Sequence, residues 1–387
     1  MLLTHTHIQI GVLTKNTIPL ITPLLDQAIL CQHFILLVSP NHTAQLPYFE
    51  RFLRQRDLNV TVIQLKSDLQ CLDPVLLPYK NNRVAVNVSE GRPGITGQLL
   101  LWAKRHKHCA FWLNANTDKL RYLLPEDHPP IALGDHINIS DFLALNGMAF
   151  KEGYRHLPNQ DQLLPLASKW QTKIHSHRRA FQTLNWLSSS ASGLDLTSQS
   201  CARHLWNKPH LQQLIRDLKE LELVRKEGDR RVTFSDPTVA SFVRGGWLEY
   251  ACFATLHKLK ATRNDIQDIA LGVKIERHVQ GTAVVNEIDV IALINNRLFL
   301  IECKTGKLAQ KPLISQQVIY RLDSLSELLG ESCHGFIVSL EALGNQVNTR
   351  ALEVGMHLLE GATLSNSQHA SSGSPMAATH TLNYQTR

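Results

Sequence analysis

Residues 287–304 read EIDVIALINNRLFLIECK, and this stretch decides the fold of the C-terminal part of the chain. Two apolar, β-branched runs flank Asn295-Asn296. Asparagine tolerates the positive φ that a tight primed turn demands, so the pattern predicts a two-residue β-hairpin. The turn fixes the register: Ile294 pairs with Arg297, Asp289 falls opposite Glu302, and Glu287 falls opposite Lys304. Side chains alternate along a strand, so these four charged groups project from one face. Opposed carboxylates repel each other. A divalent cation such as Mg²⁺ or Mn²⁺ removes that repulsion, and such ions bind through one or two carboxylates while keeping several waters. Lys304 would then hold a water or steady charge on a phosphate.

The arrangement resembles the PD-(D/E)xK nucleases. Asp289 matches the superfamily's acidic residue, and Glu302-Cys303-Lys304 matches its E-x-K. The resemblance implies metal held by Asp289, Glu302 and the Cys303 carbonyl. Upstream, Trp247 to Leu259 reads as a helix with Glu249 in its first turn. A glutamate on this helix assists metal binding in the family, so Glu249 joins Asp289, Glu302 and Lys304 as a catalytic candidate. A helix-start glutamate is also favoured by the dipole alone. Val273 to Val279 reads as a strand before the hairpin, and Phe336 to Ser339 as a last core strand. Thr305, Lys307 and Lys311 follow as candidates to meet a phosphate backbone, and Gln316, Gln317 and Tyr320 are secondary candidates.

Composition bounds the rest. A chain of 387 residues predicts two or three domains, and 43% hydrophobic residues allow each a core. A net charge of +7 leans toward a polyanionic partner. Seven cysteines occur singly, at 31, 71, 109, 201, 252, 303 and 333, so neither a zinc finger nor a disulfide framework is expected. With no signal-like N-terminus and no long apolar run, the expectation is a soluble, cytoplasmic protein with no membrane association.

The N-terminal third alternates strands and helices. Strands are expected at His7–Leu13, Phe34–Val38, Val60–Leu65, Val84–Val88 and Ala110–Leu113, with helices from Pro19 and over Ala44–Arg56. Such alternation predicts a Rossmann-like parallel sheet covered on both faces. Ligands bind such sheets beyond the carboxyl ends of the strands, near a topological switch point. Two loops qualify: Thr14-Lys15-Asn16-Thr17, and Asn87 to Gly97, before a helix beginning near Gln98. Glycines and a helix N-terminus suit a phosphate, which makes Thr14, Lys15, Asn16, Asn87, Ser89, Gly91, Arg92 and Thr96 the ligand candidates. An ordinary glycine-rich connection would read the same way.

Residues 151–244 lose the alternation. Helices are expected over Leu163–Leu187 and around Leu211–Leu221, followed by a hairpin with basic residues Arg225, Lys226, Arg230 and Arg231. This suggests a winged helix, either contacting nucleic acid or acting as a spacer whose Glu227 and Asp229 dilute the positive field.

Taken together, the order of parts resembles the CRISPR-associated ancillary nucleases that carry a CARF domain. The stretches GGWLE (245–249), NEIDV (286–290), IECKT (301–305) and YRLDSLSELLG (320–330) carry the resemblance. It implies a Rossmann-like CARF sensor (1–150), a winged-helix-like linker (151–244), a PD-(D/E)xK nuclease domain (245–363) and a disordered tail (364–387). It also implies a homodimer that binds cyclic tetra-adenylate and then cleaves DNA or RNA in type III CRISPR antiviral defence, with the middle domain transmitting the signal. Many members carry Asn-x-Thr-Gly-Gly-Thr-Lys after the fourth strand; here the chain has Asn87-Val88-Ser89-Glu90-Gly91-Arg92-Pro93, which places a negative charge near an expected phosphate. Two other readings fit the same residues: a ligand-responsive nucleic-acid-binding regulator with a silent nuclease fold, and a restriction or repair nuclease indifferent to cyclic nucleotides.

Overall fold

The computed structural model describes residues 7–360, apart from 28, 30, 68–69, 115–116, 135, 157–159, 192 and 307–311. Lys307, Lys311 and the C-terminal tail expected to be disordered lie outside the described residues. The chain is mixed α/β, built on two large sheets joined by a mainly helical segment.

The N-terminal part runs β1 (Ile8–Val12), α1 (Ile18–Leu25), β2 (His33–Val38), α2 (Leu46–Arg54), β3 (Val60–Gln64), α3 (Asp73–Leu76), β4 (Val84–Asn87), α4 (Pro93–Arg105), β5 (Cys109–Asn114), β6 (Lys119–Leu124), β7 (Ile131–Ala132) and α5 (Ile139–Leu145). The sheet order is β3-β2-β1-β4-β5-β6-β7, parallel through β5 and antiparallel beyond it. The order reverses between β1 and β4, so the two candidate loops flank the switch point. Helix α4 begins at Pro93 rather than near Gln98. Proline pre-sets the helical φ and lacks only an N–H that the first turn leaves unpaired anyway. Thr96 therefore sits inside the helix rather than in the loop.

Next come β8 (Ala149–Tyr154), α6 (Gln160–Gln171), α7 (Ile174–Ser190), α8 (Arg203–Trp206), α9 (Pro209–Glu220), the hairpin β9 (Val224–Gly228) and β10 (Arg231–Phe234), and α10 (Pro237–Ser241). Asp229 and Arg230 take the positive φ of the hairpin turn. Asp217 fastens this helical part. Its fully buried carboxylate accepts from Lys169 Nζ (2.8 Å), Lys173 Nζ (3.0 Å), Trp170 Nε1 (3.0 Å) and Gln213 Nε2 (3.1 Å). Burial alone would push this carboxyl up, but the four donors win and hold it below 3.8. Its stabilising contribution is therefore complete above pH 3.8 and is lost as the pH falls through the lower folded-state value. Asp217→Ala orphans the buried indole N–H, while the partly exposed lysines can turn to water. We expect a loss of about 1–3 kcal/mol in urea unfolding; an unchanged midpoint would show that the network holds nothing.

A π-helical turn (Phe242–Gly246) leads into α11 (Trp247–Lys260), β11 (Ile266–Val279), β12 (Thr282–Ile294), β13 (Arg297–Lys304), α12 (Pro312–Leu329), β14 (Cys333–Ser339), α13 (Asn345–Glu353) and β15 (His357–Glu360). The sheet order is β15-β14-β13-β12-β11-β8. Strand β8 pairs antiparallel with β11, so the segment around residue 150 belongs to this C-terminal sheet instead of closing the N-terminal one.

The N- and C-terminal sheets meet directly. One apolar cluster combines Leu13, Ile18 and Phe142 with Ile291, Leu300, Ile319 and Leu325. The Asn295-Asn296 turn takes positive φ at both residues, 47° and 59°, and docks on the N-terminal part, where Asn296 Nδ2 donates to Asp118 Oδ1 (2.8 Å).

Candidate active site

The hairpin register places the site. Ile294 pairs with Arg297 and Val290 with Ile301, and there the β12–β13 ladder ends. Beyond it β12 continues beside β11 alone, leaving a gap that Asp289 fills: its Oδ2 accepts the Cys303 N–H at 2.7 Å. A strand residue's N–H and C=O point to the same side, so the Cys303 carbonyl faces that gap too. The Cys303 thiol lies on the opposite face, 3.7 Å from Cys252 Sγ. Glu287 is exposed and lies opposite Lys274 on β11.

Glu302 is 3% exposed. Lys304 Nζ lies 2.6 Å from its Oε1 and 3.8 Å from Asp289 Oδ2. Burial alone would lower the Lys304 pKa, but the carboxylates of Glu302 and Asp289 raise it, keeping the ammonium charged. Glu302 Oε2 lies 2.5 Å from Arg321 Nη2 on α12, an ion pair without hydrogen-bond alignment. Burial, then repulsion from Glu302, pushes the Asp289 carboxyl up to about 6. Glu249, in the first turn of α11, reaches the same cluster; burial and then Asp289 push it up to about 8. Close approach is built into the backbone here. Gly245 has φ 153°, and a Cβ on it would lie 2.6 Å from Thr305 Oγ1, a contact no side chain tolerates. Thr305 Oγ1 in turn accepts from Asn185 Nδ2 on α7 (2.9 Å).

Arg321 is the residue the sequence reading missed. Its neighbour Tyr320, the residue favoured from sequence, is 47% exposed and lies under Arg350 with the guanidinium 5.2 Å from the ring centroid. Gln316 is half-buried and Gln317 exposed.

Among the described residues no group of three or more His, Cys, Asp or Glu side chains is arranged to hold a metal ion. The donors here are of another kind. A buried carboxylate paired with Lys304 and Arg321 (Glu302) and a half-buried one whose pKa is raised by burial and then by repulsion (Asp289) stand on neighbouring strands, a pair that a hard cation suits.

At the other candidate site, Glu90 is a clasp between the loops. Thr14 Oγ1 (3.2 Å) and Asn16 Nδ2 (2.8 Å) both donate to its carboxylate. Burial raises the Glu90 pKa against those donors. Asn87 is 1% exposed and committed to the interior: its Nδ2 donates to Pro19 O (2.8 Å), and its Oδ1 accepts from Ser89 N and Oγ. Ser89 Oγ also accepts from Leu113 N. Gly91 makes the turn at φ 120°, and Thr96 Oγ1 donates back to Arg92 O. Lys15 is exposed at the loop tip. Residues 15–18 lie against Leu329–Ser332, the turn that ends α12, and Glu331 is near enough to raise the Glu90 pKa. Helix α12 therefore links the Thr14–Thr17 loop directly to Arg321 and Glu302, without the helical segment between them.

Residues 236–370 match the family model of the Card1-like endonuclease domain. This part of the chain is similar to Card1-like endonuclease domains. The match contains every residue of the Asp289–Glu302–Lys304 cluster, Glu249 and Arg321. Among solved structures, protein VC1899 from Vibrio cholerae superposes with a TM-score of 0.82 at 24% identity, covering 98% of this chain and 97% of that one. Can2 from Sulfobacillus thermosulfidooxidans, solved in complex with cyclic tetra-adenylate, gives 0.73 at 18% identity, covering 94% and 95%. A type III CRISPR defence DNA nuclease activated by cyclic oligoadenylate gives 0.52 at 18% identity over 92% of this chain and 50% of that one. A comparison with curated proteins finds no match. The Card1-like domain and the sheet that precedes it thus share their fold with these proteins. No helix among the described residues is long and apolar enough to cross a membrane.

Proposed function

We propose that the protein is a nuclease switched on by cyclic oligoadenylate in type III CRISPR defence, acting as a homodimer on nucleic-acid phosphodiesters. The observation that carries this reading is the convergence of Asp289, Glu302 and Lys304 where β12 and β13 separate, within a Card1-like endonuclease domain. The shared fold with a cyclic tetra-adenylate-bound protein supports the sensor half. On this reading the C-terminal sheet is a PD-(D/E)xK domain and α6–β10 form a winged-helix-like linker.

Asp289, Glu302 and the Cys303 carbonyl would hold a Mg²⁺ or Mn²⁺ ion, with Glu249 adjacent. When bound, such an ion supplies water activation and stabilises charge on the phosphoryl group. Lys304, held by Glu302, positions the attacking water or a phosphate oxygen. Without a cation, burial and then Asp289 favour the protonated form of Glu249, which limits the crowding of negative charge.

Cyclic tetra-adenylate would occupy the Thr14–Thr17 and Asn87–Thr96 loops at the switch point, where a dimer axis presents each loop twice. Lys15 is the side chain there free to meet a phosphate; Asn87, Ser89 and Glu90 shape the loops from inside. A ligand activates only by binding the active arrangement better than the resting one, and the contact with α12 gives it purchase on Arg321 and Glu302. Lys15→Ala is expected to raise both the dissociation constant for cyclic tetra-adenylate, by calorimetry, and the concentration that half-activates cleavage. Loss of binding with activation retained would place the activating site elsewhere.

A further inference from the structure

The helical segment and the nuclease sheet enclose a cleft of about 860 Å³. His175, Arg178 and Arg179 on α7 line one wall, and His204, Lys208 and His210 line the other. All six are exposed. Arg178 pairs with Glu341 at 3.3 Å, whereas among the described residues Arg179 and Lys208 have no ion pair. Among the described residues lining it, Glu360 alone is acidic, and its carboxylate accepts the Leu343 N–H.

The floor of this cleft is the edge of the sheet that carries the active site. Lys304 pairs with Ser339 on β14, and Ser339 pairs with Glu360 on β15, so the three stand in one row. Neighbouring strands lie about 4.8 Å apart, which puts Glu360 roughly 10 Å from Lys304 along that row. Helix α7 runs along the same edge. Arg178, Gln182 and Asn185 share one of its faces, at i, i+4 and i+7. The first two contact Glu341 just past β14, and Asn185 contacts Thr305 just past Lys304. A chain leaving Lys304 along this row therefore reaches Glu360, which lines the cleft together with Arg179 and Lys208.

We infer that this cleft is the track for a single nucleic-acid strand leading to Lys304, with Arg179 and Lys208 on its phosphates. The inference rests on the proposed nuclease reading and specifies how that nuclease holds its substrate. A cleft of this volume takes a ligand of drug-like size, which suits an extended strand of a few nucleotides better than a duplex. The basic hairpin β9–β10 is a weaker candidate, since Arg230 Nε already donates to Cys201 O and Asp229 sits in its turn.

The test uses the full-length protein and fluorescein-labelled oligonucleotides of about 12 residues, as single-stranded DNA, single-stranded RNA and duplex DNA. Anisotropy is read against salt, in chelator so that no substrate is cut. For Arg179→Gln with Lys208→Gln, the slope of log affinity against log salt should fall by about 1.4, two contacts at about 0.7 each on a single strand. Carried from 1 M to 0.1 M salt, that change is roughly 25-fold in affinity. Arg225→Gln with Arg231→Gln should leave single-strand binding unchanged. Thermal melting confirms that each variant is folded. An unchanged slope in the cleft variant, or duplex binding as tight as single-strand binding, overturns the inference. Failure of the wild type to cleave any nucleic acid when metal and cyclic tetra-adenylate are added would instead overturn the nuclease reading, so the two failures are distinguishable.

Discussion

Glu302→Gln is expected to lower nucleic-acid cleavage by about 10³-fold or more, beyond the ~10²–10³ typical for removing one stabilising group from a catalytic site. The amide keeps the shape of the side chain and removes the charge that a cation requires. It also removes the partner of Lys304 (2.6 Å) and of Arg321 (2.5 Å), so thermal stability should not rise. Asp289→Asn should abolish cleavage equally but act oppositely on stability. Burial and Glu302 disfavour the charged form of Asp289, so neutralising it relieves repulsion, and the variant should melt at a higher temperature in chelator. The pair of melting curves separates the two carboxylates even though both variants are inactive. Full cleavage by either variant would remove it from the catalytic assignment.

Lys304→Ala should lower turnover by about 10²-fold or more while changing metal affinity much less. The ammonium sits beside the carboxylates, and its proposed partner is water or phosphate rather than the cation. Removing it leaves Glu302 with Arg321 as its remaining ion pair. The measurement is a Mn²⁺ titration of cleavage rate alongside calorimetric Mn²⁺ binding. Weakened binding with normal turnover at saturation would contradict this role and make Lys304 a support for the metal site alone.

The hairpin was legible from sequence because its information is local. Two asparagines set the turn, the turn sets the register, and strand alternation sets the faces. The observed pairing of Ile294 with Arg297 and the positive φ of Asn295 and Asn296 follow from residues within reach of one another. The alternating N-terminal sheet was legible for the same reason. Arg321 was not, because adjacent residues on a helix point about 100° apart, and choosing between Tyr320 and Arg321 requires the rotation of α12. That rotation is set by burial of Val318, Ile319 and Leu322. Strand β8 reads AFKEGY, too polar for a period-two pattern to emerge at a sheet edge. The direct seating of the Thr14–Thr17 loop on the end of α12 joins residues more than three hundred positions apart, and no local pattern encodes it. That contact gives the two ends of the chain a meeting point besides the middle segment.

The central claim is that the Asp289–Glu302–Lys304 cluster cuts nucleic acid under control of a ligand at the switch-point loops. Its most direct test is cleavage of end-labelled single- and double-stranded DNA and RNA, with Mn²⁺ or Mg²⁺, in the presence and absence of cyclic tetra-adenylate. The account predicts that at least one substrate is cut, and that the cutting depends on both the metal and the ligand. No cleavage of any substrate, or cleavage at the same rate without the ligand, would contradict it.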